Sequence, residues 1–402
     1  MSSENADHIK ESVKDYYGKT LQTSDDLQTN ACKIEATKMS SAVKDALKLI
    51  HEEVSSKFSG CGLVAPEAIE GKTILDLGSG SGQDCFVLSK LVGENGHVTG
   101  VDMTQEQVDL ANKYVEYHAE KFGYSKPNTD FKLFFFFFFF IFFFYFILFY
   151  FIITLGIHLQ YSYTVLGMTD FKLGEMERLS DIGIQENSID IIISNCVVNL
   201  TADKKVVLKE AHKVLKNGGE VYFSDMYTDT KLPEALKEDK VLWGKGFAGA
   251  LHWKELIELC KEVGFSGPYL VTSRPIEAEP ELKKSLGDAK FVAATYRLFK
   301  IPGNKSTDAG FTVTYKGSIG DENPEEFKFD VHTTFTKTPK IVSAEVATVL
   351  RFSRFPSHLE FQPLEPGTSA PTDDVYRNAD PFAYCAANNV AKASGSCKPK
   401  AV

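Results

Sequence analysis

A glycine-rich loop between a strand and a helix is the feature that most constrains the fold of this chain. Residues 73–77 are an apolar run of strand type, residues 78–82 read Gly-Ser-Gly-Ser-Gly, and an amphipathic stretch follows at residues 83–91. Glycine permits the positive φ angles of a tight turn and lets the backbone approach a ligand closely. Because a strand precedes this loop and a helix follows it, we expect a ligand site at the carboxyl end of a parallel sheet.

Alternating strand and helix signals surround this loop. Candidate strands lie at residues 73–77, 97–102, 189–194 and 220–224, with amphipathic helical stretches at residues 83–91, 104–122 and 203–215. Such alternation is typical of a mostly parallel sheet with helices on both faces. The sequence therefore predicts an α/β fold built on a Rossmann-like sheet.

The spacing of the loop glycines distinguishes two classes of cofactor. The pattern is GxGxG with Asp76 two residues before Gly78, whereas a dinucleotide-binding loop reads GxGxxG. Asp102 ends the second strand, 20 residues after Gly82, and is placed to accept hydrogen bonds from ribose hydroxyls. These features predict S-adenosylmethionine as the cofactor. The alternative is a plain strand–turn–helix connection with a surface aspartate.

Charge and cysteine usage favour a protein of the reducing cytosol that has no nucleic-acid partner. The chain has 44 Lys and Arg against 54 Asp and Glu, a formal net charge of −10, and no basic stretch suited to phosphates. Its seven cysteines include no CxxC pair, unlike a disulfide framework. The cysteines are Cys32, Cys61, Cys85, Cys196, Cys260, Cys385 and Cys397.

One segment interrupts the predicted sheet. Residues 133–153 contain only Phe, Ile, Leu and Tyr, and about 20 apolar residues are enough to span a bilayer. However, Thr-Asp-Phe-Lys-Leu at residues 129–133 recurs at residues 169–173, so deleting residues 131–170 restores a strand and a loop. We favour an inserted sequence, such as the translation of a poly-T tract. A membrane anchor and a protein-covered insertion are the alternatives, and we expect a membrane association only if the Phe-rich insert is genuine.

The chain divides into five predicted parts. A helical N-terminal lead-in at residues 1–70 precedes the cofactor-binding domain at residues 71–230, which the insert at residues 131–170 interrupts. Helix and strand signals at residues 231–300 predict a smaller α+β substrate-binding or cap region. A small C-terminal module at residues 301–363 and a disordered tail at residues 364–402, rich in Pro, Ala, Asn, Ser and Gly, complete the prediction.

Six short segments together resemble arsenite methyltransferase. They are residues 26–32, 51–54, 60–64, 74–85, 97–103 and 194–200. Many methyltransferases share the glycine loop, so the sequences around Cys32, Cys61 and Cys196 are the specific part. The resemblance runs from about residue 13 to residue 301 without the insert, and weakly to about residue 363. It implies a class I methyltransferase fold.

The resemblance also implies the residues of the site. Cys32, Cys61 and Cys196 are implied as the catalytic cysteines, with Cys61 and Cys196 binding arsenic. The implied cofactor contacts are Gly78, Ser79, Gly80, Asp102, Met103, Gln107, Met176, Glu177 and Asn195, to which the loop pattern adds Asp76 and Gly82. Thr104 and Gln107 also fit a helix capping box, and capping does not exclude a ligand contact.

The implied chemistry explains why cysteines are needed. Trivalent arsenic is soft, so two or three thiolates bind it well, and its lone pair then attacks the sulfonium methyl without a general base. Most of the catalysis is positioning. The product is pentavalent, and protein thiols restored by thioredoxin or glutathione would reduce it again. We expect a cytosolic monomer whose substrates are the trivalent arsenicals arsenite or methylarsonite.

One position departs from the pattern of the family. The family has a cysteine in a Trp-Gly-x-Cys-x-Gly-Gly-Ala-Leu segment, and this chain has Gly246 there. The lost thiolate leaves two alternatives open. The chain could methylate another small nucleophile, or it could be an inactive binding protein.

Overall fold

The computed structural model describes residues 39–58, 60, 62–133, 178–301, 310–319 and 325–388. The strands of its main sheet are β1 (Thr73–Leu77), β2 (His97–Asp102), β3 (Thr129–Leu133), β4 (Ile189–Asn195), β5 (Leu215–Thr228), β6 (Leu251–His252), β7 (Ser266–Ile276) and β8 (Phe291–Phe299). Their order is β3-β2-β1-β4-β5-β8-β7, with β6 beside β5. Neighbours among β1 to β6 are parallel, while β8 is antiparallel to both β5 and β7. The predicted α/β fold with a Rossmann-like sheet is confirmed.

Helices cover both faces of this sheet. They are α1 (Ser41–Lys48), α2 (Glu52–Ser56), α3 (Gln83–Val92), α4 (Gln105–Lys113), α5 (Val115–Phe122), α6 (Lys204–Val214), α7 (Lys240–Gly244), α8 (Trp253–Val263) and α9 (Pro280–Leu286). Successive strand residues point to opposite faces. Ile74 therefore packs with Phe86 of α3, and Leu75 lies in the cluster that contains Leu208 of α6.

The region at residues 231–300 differs from the predicted cap. Its two long strands, β7 and β8, extend the main sheet, because β8 pairs with β5 along residues 220–228. Antiparallel pairing at this edge also lengthens β5 beyond the predicted residues 220–224.

The helical stretch predicted at residues 104–122 divides at Tyr114 into α4 and α5.

The C-terminal part has its own small sheets. A three-stranded antiparallel sheet has β9 (Phe311–Tyr315) between β12 (Lys340–Val342) and β13 (Leu359–Pro363), and β10 (Glu326–Lys328) pairs with β11 (Thr334–Thr336). Helix α10 (Ala344–Phe352) packs on them. Their apolar core also includes Tyr269 and Phe299 of the main sheet, so the two parts share one packed interior.

The predicted disordered tail at residues 364–402 contains two helices, α11 (Asp374–Arg377) and α12 (Pro381–Ala387). Asp380 accepts hydrogen bonds from the first amides of α12, and Tyr376 and Cys385 are buried. Pro381 at the first helical turn is compatible with a helix start. The prediction of disorder is therefore wrong for residues 364–388, where polar composition concealed capped helices and two buried anchors.

The Phe-rich run begins where β3 ends. Strand β3 pairs with β2 from Thr129 to Leu133, so the first three residues of the predicted insert at residues 131–170 belong to this strand. The Phe-rich run from residue 134 onward lies outside the described residues. Within the described ranges, no helix is long and apolar enough to cross a membrane.

A buried charge network joins the main sheet to the C-terminal part. Arg297 donates through Nε to Glu220 at 2.7 Å, through Nη2 to Glu67 at 2.5 Å, and through Nη1 to the Phe329 carbonyl at 2.9 Å. Arg354 donates to the other Glu220 oxygen and to the Glu67 carbonyl. Buried charges are tolerated when paired in this way, so two arginines and two glutamates fix three distant parts of the chain together.

Candidate functional site

The glycine loop follows β1 in a conformation that glycine adopts easily. Gly78, Gly80 and Gly82 have φ angles of +77°, +51° and +88°. The backbone amides of Gly78 and Ser79 donate to the Val101 carbonyl at 2.8 and 3.1 Å. The loop is thereby fixed against the end of β2.

Two of these glycines are also required by close packing. A Cβ on Gly78 would overlap the Val197 side chain, and one on Gly82 would lie 2.7 Å from Phe131. A Cβ on Gly80 would meet nothing within 4 Å. The backbone at Gly80 therefore faces open space at the carboxyl edge of the sheet, where ligands of parallel sheets bind.

Asp102 holds the glycine loop as well as the start of α4. Its Oδ2 accepts a 2.9 Å hydrogen bond from the Gly80 amide, and its Oδ1 accepts one of 2.8 Å from the Thr104 amide. Burial raises the pKa of Asp102, and these bonds oppose that rise. Thr104 is the N-cap of α4, but its side chain makes no capping bond. The predicted capping box with Gln107 is therefore not formed.

Three buried polar atoms around the loop have no hydrogen-bond partner among the described residues. They are Ser79 Oγ, Asp84 Oδ1 and Gln107 Oε1. Buried polar atoms in native proteins are nearly always paired with protein, water or ligand. A hydroxyl and two oxygen acceptors beside the glycine loop fit the amino and hydroxyl groups of an adenosyl amino acid, so these residues fit S-adenosylmethionine.

Two carboxyl groups lie beneath the loop. Asp76 is buried and accepts a hydrogen bond of 3.2 Å from Cys85 Sγ. Burial raises the pKa of Asp76 well above its ordinary value, and the nearby Asp84 adds to the rise. Burial raises the pKa of Asp84 to about 7, opposed by a hydrogen bond from Asn195. Both acids thus favour the protonated form more than exposed aspartates do.

Asn195 ends β4 and joins three parts of the site. Its Nδ2 donates to Asp84 Oδ2 at 2.9 Å and to the Gly62 carbonyl at 2.5 Å. A Cβ on Gly60 would lie 2.6 Å from the same nitrogen. The side chain predicted to contact the cofactor therefore also fixes Gly60 and Gly62 against α3.

Cys196 follows Asn195 at the carboxyl edge of the sheet. It has a φ of +58°, and its amide donates to the Ser224 carbonyl at 2.8 Å. Cys196 is disulfide-bonded, whereas Cys85, Cys260 and Cys385 are buried free thiols. Its half-buried side chain packs on an apolar group that we call the Met226 cluster. The buried members of this cluster are Leu200, Met226, Leu242, Trp243, Phe247, Ala248, Ala250, Ile276, Ala278, Leu286, Phe291 and Ala293.

Gly246 lies beside the same cluster. It has a φ of +79°, and a Cβ there would lie 2.5 Å from Met226 Cε. A side chain at this position would therefore point toward the cluster on which Cys196 packs. The half-buried Met103 also contacts this cluster.

Four of the predicted site residues lie outside the described part of the chain. They are Cys32, Cys61, Met176 and Glu177. Within the described ranges, no group of three or more His, Cys, Asp or Glu side chains is arranged to hold a metal ion. The described part of the predicted site thus consists of Asp76, the glycine loop, Asp102, Met103, Gln107, Asn195 and Cys196.

Sequence reasoning missed a buried polar group behind Cys196. Asp225 accepts hydrogen bonds of 2.9 Å from the amides of Asn199 and Met226, and burial raises its pKa to about 7. Lys204 donates to the Asn199 carbonyl, and burial lowers its pKa to about 8. A charged residue directly after the apolar run of the strand predicted at residues 220–224 was the available signal, because such a residue is buried only when it is paired.

Comparisons with known proteins agree with this geometry. A family described as a methyltransferase domain matches residues 69–134 and 166–264, leaving out most of the insert, and an arsenite methyltransferase C-terminal domain matches residues 308–401. The arsenite methyltransferase of Mus musculus is 44% identical over 92% of this chain and 88% of its own length. The arsenite methyltransferase of Aquipseudomonas alcaligenes is 40% identical over 88% of this chain and 90% of its own length. The crystal structure of an arsenic(III) S-adenosylmethionine methyltransferase from Chlamydomonas reinhardtii has a TM-score of 0.68 and 35% identity, covering 83% of this chain and 99% of that one.

Proposed function

The chain belongs to the arsenite methyltransferase family, and from this premise we propose that it transfers a methyl group from S-adenosylmethionine to trivalent arsenic held by cysteine thiolates. The observation that carries the proposal is the position of Cys196. This cysteine follows the last residue of β4, at the sheet edge that also bears the glycine loop. A soft ligand and a cofactor loop thus share one edge.

The cofactor, when bound, supplies an electrophilic methyl group on a sulfonium sulfur. The protein contributes binding and orientation. Asp102 and Gln107 offer oxygen acceptors at the end of β2 and on α4, and Ser79 offers its unpaired hydroxyl from the loop. Asp76, Gly78, Gly80, Gly82, Met103, Met176, Glu177 and Asn195 complete the proposed set of cofactor residues.

We assign the arsenic ligands to cysteines. Cys196 and Cys61 bind the arsenic, and Cys32 supports the redox part of the cycle. Thiolate coordination leaves the arsenic lone pair free, so the attack on the methyl carbon needs no general base. The apolar Met226 cluster against which Cys196 packs excludes water from that side. Methyl transfer would then be accelerated mainly by holding the arsenic and the methyl group in the right geometry.

Each turnover in this scheme includes a two-electron reduction. Methyl transfer raises arsenic from the trivalent to the pentavalent state, and two thiols return two electrons as they form one disulfide. Thioredoxin or glutathione then reduces that disulfide by thiol–disulfide exchange. The disulfide at Cys196 corresponds to the oxidised protein in this cycle, so reduction must precede arsenic binding. A reducing cytosol suits such a requirement.

A second candidate function follows from Gly246. Without a thiol at this position the site has one soft ligand fewer, which favours another small nucleophile as the methyl acceptor. The same loss is compatible with an inactive binding protein. These alternatives differ from the leading proposal in whether arsenite stimulates methyl transfer.

Arsenite-dependent transfer of labelled methyl tests the proposal. We would compare the wild-type chain and Cys196→Ser with thioredoxin or glutathione present, and measure cofactor affinity separately by calorimetry. The expected result is a loss of about 100-fold or more in Cys196→Ser, with cofactor affinity retained. Equal arsenite-dependent rates in the two proteins would exclude the thiolate mechanism. Cofactor binding without any arsenite-dependent transfer in the wild type would favour a different substrate or an inactive protein.

A further inference from the structure

A cavity lies at the edge of the main sheet opposite the glycine loop. Its volume is about 100 Å³, and it is lined by residues that precede β1, begin β4 and β5, and follow α10. The glycine loop follows β1, whereas Lys72 in this cavity precedes it, so the two sites occupy opposite ends of the strand. One water needs only about 10–15 Å³ of such space, so the cavity has room for a ligand of several atoms. We call it the amino-edge pocket.

Two buried hydrogen-bonding groups of the amino-edge pocket are unsatisfied. Arg354 Nη2 and Ser353 Oγ have no partner among the described residues, and the Arg354 side chain is only 5% exposed. The Arg354 Nε and Nη1 groups are already occupied by the Glu67 carbonyl and by Glu220. The guanidinium is therefore held in place by two of its nitrogens, while Nη2 has no hydrogen-bond acceptor among the described residues. An unpaired buried donor calls for a water, an ion or a ligand.

The charges around the pocket favour an anion. Asp190 is compensated, because its Oδ2 accepts from Lys216 Nζ at 2.8 Å and from the Thr73 amide at 3.0 Å. Within the described part of the chain, the ammonium of Lys72 forms no ion pair in the structure. The two arginines and two glutamates of the adjacent network balance one another. The lining of the pocket thus includes a lysine without an ion pair among the described residues, beside a guanidinium edge and a hydroxyl that have no partner there.

We propose that the amino-edge pocket binds a small tetrahedral oxyanion, with Arg354, Ser353 and Lys72 as its ligands. Guanidinium N–H groups bind phosphate-type oxygens strongly, and the hydroxyl and ammonium add two further donors. Inorganic phosphate and a pentavalent arsenical such as methylarsonate present the same chemistry. The site is independent of the arsenic transfer proposed above, because it uses none of the residues of that reaction. Its occupant would bridge the main sheet and the segment that follows α10.

Calorimetry on the full chain tests this proposal. Phosphate and methylarsonate are titrated separately, with the cofactor site saturated by S-adenosylmethionine and ionic strength held constant with sodium chloride. The variants are Ser353→Ala and Lys72→Gln, which leave the Arg354 network intact. Lys337→Gln, which alters an exposed lysine paired with Glu325, is the matched control.

We expect saturable binding of one anion per chain, weakened about tenfold or more in both pocket variants and unchanged in Lys337→Gln. The rise in unfolding temperature on adding the anion should be smaller in both pocket variants than in wild type and Lys337→Gln, since a ligand of the folded state raises the unfolding temperature. Tighter binding of phosphate identifies phosphate as the occupant, and tighter binding of methylarsonate identifies the arsenical. An absence of saturable binding by either anion, or equal affinity in all four proteins, overturns the proposal and leaves a pocket filled by water.

Discussion

Asp225 Oδ2 accepts a 2.9 Å hydrogen bond from the backbone amide of Asn199, so the end of β5 holds the turn that follows Cys196. In Asp225→Asn, one oxygen acceptor becomes an NH₂ group that faces backbone donors. We expect arsenite-dependent methyl transfer to fall about 10- to 100-fold because the thiolate loses its position, with cofactor affinity retained. Rates and calorimetry on the same preparation provide the measurement.

Asp229→Asn is the matched control for this prediction. Asp229 also accepts a 2.9 Å hydrogen bond from a backbone amide, that of Lys290, but at an exposed position. A similar loss of activity in both variants would contradict a positioning role for Asp225. So would a loss of cofactor affinity that parallels the loss of rate.

The glycine loop offers a test that separates backbone strain from steric conflict. Gly78 and Gly123 have nearly equal φ angles, +77° and +79°, but a Cβ meets Val197 only at Gly78 and open space at Gly123. Each change to alanine costs about 1–2 kcal/mol for the left-handed backbone. We expect Gly78→Ala to weaken S-adenosylmethionine binding more than about tenfold, and Gly123→Ala to lower stability alone. Equal cofactor affinity in the two variants would refute this account of the loop.

The raised pKa of Asp84 predicts that the free energy of unfolding depends on pH. Its folded pKa of about 7 lies above the ordinary value of 3.8, because burial disfavours the ionised form. The folded state therefore binds the proton more tightly, and the stability that protonation provides is lost as pH rises from about 4 through 7. At about 1.4 kcal/mol per pKa unit, the loss approaches about 4 kcal/mol.

Denaturant unfolding of wild type and Asp84→Asn at several pH values checks this sign. The amide does not ionise, so the variant should gain stability relative to wild type as pH rises from 4 to 7. The exposed Asp45→Asn is the control for losing a carboxylate. A stability difference between wild type and Asp84→Asn that is constant with pH would contradict the raised pKa.

Local sequence patterns predicted the elements nearest the cofactor well. Strands β1 and β2 have the predicted limits, because an apolar run ending at a glycine loop or at Asp102 defines its own boundaries. The antiparallel β7 and β8 were assigned to a separate cap, since their pairing with β5 joins residues distant in sequence. The pattern of apolar residues within one strand indicates that the strand is buried, but not which other strand lies beside it.

Long-range polar contacts in the site could not be predicted from the sequence either, because their partners are also distant in the chain. Asp225 has no motif around it, and its distant partner Asn199 becomes visible only when β4 and β5 lie side by side. The Arg297 network likewise draws its acids from residues 67 and 220. Single charged residues in apolar strands indicated that partners existed, but they did not identify them.

Gly246 permits a direct test of the missing thiolate. Its φ is +79°, and a Cβ at this position would lie 2.5 Å from Met226 Cε, so any side chain there strains the turn. Gly246→Ala carries the same strain as Gly246→Cys without the sulfur, so it is the matched control. We expect arsenite turnover to be higher in Gly246→Cys than in Gly246→Ala by about tenfold, as one added thiolate ligand strengthens arsenic binding. Equal rates in the two variants would favour a different methyl acceptor.

The repeated pentapeptide around the insert allows the last prediction. Deleting residues 131–170 joins Thr129-Asp130 to Phe171-Lys172-Leu173, which restores the sequence of β3. Phe131 packs edge-on against Phe86, with ring centroids 5.3 Å apart, and closes the space beside Gly82. Phe171 can take over both contacts in the shortened chain. We therefore expect it to bind S-adenosylmethionine as the full chain does, and to aggregate less because a long apolar run is gone.

Deleting residues 131–173 is the matched control, because it removes the insert together with both copies of the strand's second half. This longer deletion leaves Gly82 and Phe86 without the ring of Phe131 and β2 with a shortened partner, so cofactor binding should be lost. Light scattering reports aggregation and calorimetry reports cofactor affinity. If the shorter deletion abolished cofactor binding while the full chain retained it, the insert would be part of the working fold. If it bound cofactor and stayed monomeric, the methyltransferase core would be shown to be complete without residues 131–170.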